Sequence, residues 1–341
     1  MRFLVSVAFF LIILGVAGLV WLWPFNLFNK VERDFEGVCT PFSGLPGPED
    51  IQVDVAGTFA VVSSYDRRGE AARGAIHIIN LSDLLHGANF RDRTGSVPVA
   101  FQPLGISLFE AGNVRRLFVV NAATNAIELF DMDAAGDLNH VDTITDNRLT
   151  SPNNIVAVAP GEFYVTNDVH PGRETLLGQF HFLARHGSGE VFHYNDGAMH
   201  VAASELRFAN GVAINGAGTA LYVAETAANT VRVFQRDPAS GKLGESREIQ
   251  LKASPDNLVR DNDDNIWVAA IPKPLMTPRV RSNPVLVAPS KVYKISRTDV
   301  VNEIYSDPGD ELSASTVAAP YSDKMLIGSL FDAKFLICQL P

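Results

Sequence analysis

No run of lysine and arginine occurs in this chain, and no glycine-rich phosphate loop is followed by a lysine. The first absence, with a formal net charge of −10, disfavours nucleic acid as a partner, because such binding needs basic surface to release counterions. The second removes the usual signature of a nucleotide-phosphate site. Disorder is excluded too: 47% of residues are hydrophobic and 19% charged, a globular balance. No linker-like stretch divides the 341 residues, so they read as one domain preceded by a leader. Cysteine is nearly absent, with Cys39 and Cys338 alone, one near each end of the globular part.

The longest uncharged stretch is N-terminal. After Met1 and Arg2, an apolar run extends from Phe3 to about Trp23. About 20 such residues span a bilayer as a helix. Trp21 and Trp23 sit where an interfacial aromatic belt would lie. Ala17-Gly18-Leu19 is a poor cleavage site, because Val20-Trp21-Leu22-Trp23 prolongs the run. Residues 1–30 therefore read as an uncleaved signal-anchor and its flank, with a cleaved signal as the alternative. Residues 31–341 then lie in the secretory pathway, membrane-anchored or extracellular. In that compartment Cys39 and Cys338 would oxidise, and a bond between them would join the two ends of the domain; two buried free thiols are the alternative. Asn80-Leu81-Ser82 is a glycosylation sequon, a weak signal alone.

Six stretches carry a similar short motif at a similar phase. They are Pro48-Glu49-Asp50-Ile51, Pro103-Leu104-Gly105-Ile106, Pro152-Asn153-Asn154-Ile155, Ala209-Asn210-Gly211-Val212, Pro255-Asp256-Asn257-Leu258 and Ala314-Ser315-Thr316-Val317. Successive steps are 55, 49, 57, 46 and 59 residues, close to the period of a kelch-sized propeller repeat. A second strand is predicted after each motif, near Phe59, Leu117, Phe163, Leu221, Ile266 and Leu326. Leu117–Phe130 parallels Leu221–Phe234 as strand, Asn-containing turn, strand. The expectation is an all-β, six-bladed β-propeller behind an N-terminal hydrophobic anchor helix. A β-sandwich leaves the six repeats unexplained. Thr175–Arg185 reads as a helical insertion near the mouth, and the Pro-rich segment from Pro272 to Pro289 as a long surface loop.

If the six runs are innermost strands, their opening residues converge on one axis. Glu49 and Asp256 then supply two negative charges, and Asn153, Asn210 and Asn257 supply neutral carbonyl oxygens. That set suits one Ca²⁺, which takes six to eight hard oxygen ligands. No cysteine or paired histidine accompanies them, which disfavours zinc. Asn and Asp serving only as turn formers before strands is the bland alternative. Asp50 and Asn154 each follow a proposed ligand and point the other way along a strand. With the Ile106 carbonyl they form a candidate second calcium site. A metal at the mouth can polarise a carbonyl, so hydrolysis of an ester or lactone is the natural reaction class. Asp256, Glu49 and Asp168 are the candidate general bases.

As a set, these motifs resemble the paraoxonase/arylesterase family of calcium-dependent six-bladed propellers. The resemblance rests on Pro48–Ile51, Phe101–Ser107, Asn153–Val158, Glu162–Asp168, Phe208–Gly211, Asp256-Asn257, Ser315–Ala318 and Leu326–Gly328. It implies a catalytic calcium on Glu49, Asn153, Asn210, Asp256 and Asn257. It also implies a structural calcium on Asp50, the Ile106 carbonyl and Asn154, where the family usually has Asp. A disulfide between Cys39 and Cys338 is implied as well.

The chain departs from the family at its histidines. The dyad positions fall on Leu104 and Ala122, and a further pocket histidine falls on Ile271. Two readings follow. One is a calcium-dependent hydrolase of small esters or lactones, working by metal polarisation without the dyad, as the gluconolactonase-like propellers do. The other is a calcium-stabilised propeller that binds a ligand or partner without hydrolysis. A synthase of the strictosidine-synthase-like kind leaves the Asn and Asp ligands unexplained. Leu104 and Ala122 also predict an apolar mouth that prefers aliphatic lactones or hydrophobic esters to charged substrates. His170, two residues after Asp168, is the one histidine expected near the mouth.

Overall fold

The six repeats fold as six four-stranded antiparallel sheets. The computed structural model describes residues 15, 18, 20–27, 29–69, 73–82, 84, 91–93 and 100–341. The innermost strands are Pro48–Val53, Pro103–Ala111, Pro152–Ala159, Ala209–Ile214, Ser254–Arg260 and Ser315–Tyr321. Each packs against the next in cyclic order, and the last packs against the first. The second strands are Phe59–Ser64, Val114–Asn121, Glu162–Asn167, Ala220–Glu225, Ile266–Ile271 and Lys324–Ser329, starting within a few residues of the predicted points. The two parallel hairpins turn at Asn125 and Asn229, both left-handed with φ of 53° and 59°. Asparagine tolerates that conformation better than most residues, which is why it marks the turn.

Apolar side chains on the two faces of each sheet pack against the neighbouring blades. Val231 and Val233 of blade 4, for example, meet Leu258 and Val268 of blade 5. Full burial of such a side chain stabilises by roughly 1.5–3 kcal/mol. The sixth blade is built from both chain ends. Its outermost strand, Val38–Ser43, pairs with Lys334–Gln339 and places Cys39 directly opposite Cys338. The two are joined as a disulfide, so the ring is closed as the family resemblance implies.

All six innermost strands share one irregularity. Pairing with the second strand breaks between Pro48 and Asp50, Pro103 and Ile106, Pro152 and Ile155, Ala209 and Val212, Pro255 and Leu258, and Ser315 and Ala318. These are the motif positions. A bulge releases residues from the ladder and re-aims their side chains, here toward the axis. Two motif glycines permit the close approach of neighbouring blades. A Cβ on Gly105 would lie 2.5 Å from Asn154 Cα, and one on Gly211 would lie 2.4 Å from the Asp256 carbonyl oxygen.

Helix α1 (Leu176–Ala184) lies between the second and third strands of blade 3, where a helical insertion was predicted. Thr175 caps it by accepting the Gly178 N–H, and Arg185 ends it in a left-handed conformation. The Pro-rich segment differs from expectation. It carries a 3-10 turn, Pro274–Met276, and helix α2 (Thr277–Ser282). Pro278 stands in the first turn, where its missing N–H costs nothing.

Most of the predicted anchor lies outside the described residues. Among the described residues no helix is long and apolar enough to cross a membrane. Trp23–Phe25 form a 3-10 turn docked on the propeller, with the buried Phe25 ring 5.6 Å from that of Phe182. The sequon residue Asn80 is exposed at a strand end and accepts hydrogen bonds from the Ser82 amide and hydroxyl.

Candidate active site at the channel mouth

The bulges bring Glu49, Asn153, Asn210, Asp256 and Asn257 to one end of the channel, none more than 7% exposed. Their nitrogen ends are tied down. Asn153 Nδ2 donates to Asp168 Oδ2 at 3.3 Å, Asn210 Nδ2 to Thr226 Oγ1 at 3.1 Å, and Asn257 Nδ2 to Glu49 Oε1 at 3.1 Å. The oxygen ends of Asn153 and Asn210 are not. Glu49 Oε2, Asn153 Oδ1, Asn210 Oδ1 and Asp168 Oδ1 are buried and receive no hydrogen bond. Leaving such a group unpaired costs about 1–3 kcal/mol, so four acceptors and no donor amount to a substantial penalty. A hard cation removes it by taking a lone pair from each oxygen, and the residues present therefore fit calcium. Among the described residues no three His, Cys, Asp or Glu side chains form a metal cluster by themselves. The donor set is mixed, with carboxamides completing it.

Asp168, read as a base, is fully buried. Its Oδ2 pairs with Arg173 Nε at 2.8 Å, while its Oδ1 is one of the unpaired oxygens. Asn257 is the reverse case. Its Oδ1 accepts from Asn154 Nδ2 at 2.8 Å, so its oxygen is already engaged.

Electrostatics set the same demand. Burial pushes Glu49, Asp168 and Asp256 above the usual carboxylate range. Glu49 adds to the burial effect at Asp256, whereas Arg67 and Arg173 oppose it at Glu49. Asp50 is pushed up to about 8 by burial and then by the charge of Glu49. Carboxylates crowded in this way call for positive charge.

The candidate second set is differently disposed. Asp50 Oδ1 accepts the Ile51 N–H at 2.9 Å, and Oδ2 accepts the Ile106 N–H at 2.8 Å and Asn154 Nδ2 at 3.2 Å. Ile106 thus presents its N–H to Asp50, and Asn154 presents its amide nitrogen.

Apolar packing surrounds the three positions where the family resemblance led us to look for histidines. Leu104 is buried in a cluster with Phe118, Val120 and Ile155, and Ala122 packs against it. Ile271 packs with Val280 of helix α2 and Phe331. His170 is exposed.

Three contributors escaped the sequence reading. Thr316 Oγ1, from the sixth motif, is buried without a partner. The ladder breaks between Ser315 and Ala318, which puts Thr316 at the phase of Asn153 and Asn210, one residue later than the sequence alignment of the sixth motif placed that phase. Arg67 and Arg173 lie in loops that follow second strands. Arg67 donates to the carbonyls of Gly47, Tyr65 and Pro103, and Arg173 to Ser151 Oγ and to the carbonyls of Ser151 and Pro152. The one sequence cue is position: Tyr65-Asp66-Arg67 and Asp168 both continue from second strands.

Comparison with known proteins agrees with this geometry. The arylesterase family model matches residues 70–340. Human serum paraoxonase/arylesterase 1 is 32% identical over 248 residues, covering 71% of this chain and 69% of that protein. Human serum paraoxonase/lactonase 3 is 28% identical over 309 residues, covering 86% of each. A gluconolactonase from Xanthomonas campestris shares the fold with a TM-score of 0.60 at 15% identity, covering 92% of this chain and 94% of its own. The chain belongs to the arylesterase family, the family of the serum paraoxonases.

Proposed function

We propose that this protein is a calcium-dependent hydrolase of small lactones or carboxylic esters. The observation that carries the reading is the ring of four buried, unpaired oxygens on Glu49, Asn153, Asn210 and Asp168. The names of its relatives, paraoxonase/arylesterase and paraoxonase/lactonase, support the reaction class. We assign one calcium to Glu49, Asn153, Asn210, Asp168 and Asp256, with Asn257 adjoining. The second set, Asp50, Ile106 and Asn154, is assigned a hydrogen-bonded role, because its donors already satisfy Asp50. When bound, calcium supplies polarisation of the scissile carbonyl and offsets the charge developing on its oxygen.

The protein's own residues divide the remaining work. Asp256 is the most solvent-reached of the cluster's carboxylates, at 7% against 3% for Glu49 and none for Asp168. It has no arginine in ion-pair contact among the described residues, so it accepts the proton of the attacking water. Asp168 is held by Arg173 and acts in positioning. Leu104 and Ala122 exclude water from one wall and leave no imidazole to share the proton. The chain is further proposed to enter the secretory pathway, to be tethered through its N-terminal apolar run and to carry a glycan on Asn80.

The test is hydrolysis of a panel of lactones and aryl esters with calcium, after chelation and after calcium is restored. Asp256→Ala controls for contaminating esterase. Activity that disappears and returns with calcium, and is absent in the variant, is expected. Replacement of the histidine positions by Leu104, Ala122 and Ile271 favours a second reading, a calcium-stabilised propeller that binds a ligand without cleaving it. Calcium-dependent thermal stabilisation without any turnover would support that reading.

A further inference from the structure

Arg67 and Arg173 stand on either side of blade 2. Arg67 follows the second strand of blade 1 and donates to the Pro103 carbonyl, immediately before Leu104. Arg173 follows the second strand of blade 3 and donates to the Pro152 carbonyl, immediately before Asn153. Between them blade 2 places Leu104 and Ala122, both apolar and packed in one cluster. Two apolar motif residues of blade 2 therefore lie between two arginine-bearing loops.

The two arginines hold donors in reserve. Arg67 Nη1 and Nη2 bond to backbone carbonyls at 3.2–3.4 Å, and no carboxylate of the described residues reaches ion-pair distance of it. Its Nε has no hydrogen-bond partner among the described residues. Arg173 commits Nε and Nη2 to Asp168, Ser151 and Pro152 and leaves Nη1 without one. A guanidinium bonded only to carbonyls keeps its full charge, and a half-buried one keeps it poorly hydrated. Burial pushes the Arg67 guanidinium down, the Glu49 and Asp256 carboxylates oppose this, and Arg173 adds to it.

We propose that Arg67 and Arg173 form a carboxylate-recognition element, so that the preferred substrate is a lactone or ester that also bears a free carboxylate. The proposal rests on the hydrolase reading and names its substrate class. It replaces the preference for uncharged aliphatic substrates expected from Leu104 and Ala122 alone. Those two residues accommodate the short hydrocarbon between the carboxylate and the scissile carbonyl. The carboxylate receives charge-assisted hydrogen bonds from the two arginines.

The test compares 5-oxotetrahydrofuran-2-carboxylate with γ-valerolactone on the full-length calcium-loaded protein. Binding of 2-hydroxyglutarate, the product of the first lactone, is followed by calorimetry. The expected kcat/KM ratio favours the carboxylate lactone on the order of tenfold or more, the scale of one charge-assisted hydrogen bond. Added salt should shrink it. Arg67→Met should collapse the ratio and weaken 2-hydroxyglutarate binding, while Arg67→Lys should retain part of both. Equal or faster turnover of γ-valerolactone, with no binding of 2-hydroxyglutarate, overturns the proposal and leaves the hydrolase reading standing. Arg67-dependent binding of 2-hydroxyglutarate with neither lactone hydrolysed supports the proposal and removes the hydrolase reading.

Discussion

Asn154 reaches across from blade 3 to Asp50 of blade 1, its Nδ2 lying 3.2 Å from the Asp50 carboxylate and 2.8 Å from Asn257 Oδ1. A carboxamide nitrogen thus occupies the point where two acceptors would otherwise face each other. The expected consequence is a single calcium per chain, counted by equilibrium dialysis after exhaustive chelation. Asn154→Asp removes the donor and adds a charge, and a second bound calcium is expected in that variant. Two calcium ions bound to the parent protein would refute the assignment.

Proton linkage gives a second prediction. The folded metal-free protein raises Glu49 and Asp256 above their usual range and Asp50 from 3.8 up to about 8. Acids raised on folding contribute stability that is full below their unfolded pKa values and is lost as pH rises through the folded ones. The melting temperature of chelated protein should therefore fall between about pH 4 and pH 8. Calcium should stabilise progressively more over the same interval and release protons on binding. A pH-independent calcium effect in scanning calorimetry would contradict this.

Removing one end of the disulfide tests the closure of the ring. Cys39 and Cys338 are separated by 299 residues, and the chain-entropy model assigns such a loop about 5 kcal/mol, with native strain commonly reducing it. Cys39→Ser should lower the melting temperature under non-reducing conditions and abolish its sensitivity to reductant. An unchanged melting temperature would show that strand pairing alone holds the sixth blade.

Gly211→Ala addresses the meeting of blades 4 and 5. The added Cβ would sit 2.4 Å from the Asp256 carbonyl oxygen and 2.6 Å from Asn257 Cα. These are backbone atoms that cannot swing aside, so overpacking should cost roughly 1–3 kcal/mol. Calcium affinity should weaken as well, because the displaced strand carries Asp256. A denaturation midpoint and calcium affinity equal to those of the parent would exclude this role for the glycine.

The blades were legible because each innermost strand spells out its bulge. In five of the six a Pro or Ala precedes the bulge, and one or two residues then leave the ladder, so residues such as Glu49 and Asn153 recur at one phase. The turns at Asn125 and Asn229 were legible for the same local reason. Other features depend on contacts that sequence does not encode. An asparagine offers both a donor and an acceptor, and only packing decides which end Asn154 or Asn257 presents. Arg67 and Arg173 lie in aperiodic loops, where spacing predicts nothing about direction. Helix α2 was missed because prolines mask a short helix that tolerates one in its first turn. The contact of Phe25, in the flank of the expected anchor, with Phe182 is of the same kind.

The sixth blade takes its outermost strand from before the other five blades in sequence and its remaining three from after them, and this bears on how the ring folds. During synthesis five blades can form before Lys334–Gln339 exists for Val38–Ser43 to pair with. Until then the ring keeps an open sheet edge, the kind of surface that chaperones and aggregating chains both bind. A truncation before Lys334 therefore removes a structural wall rather than a dispensable tail.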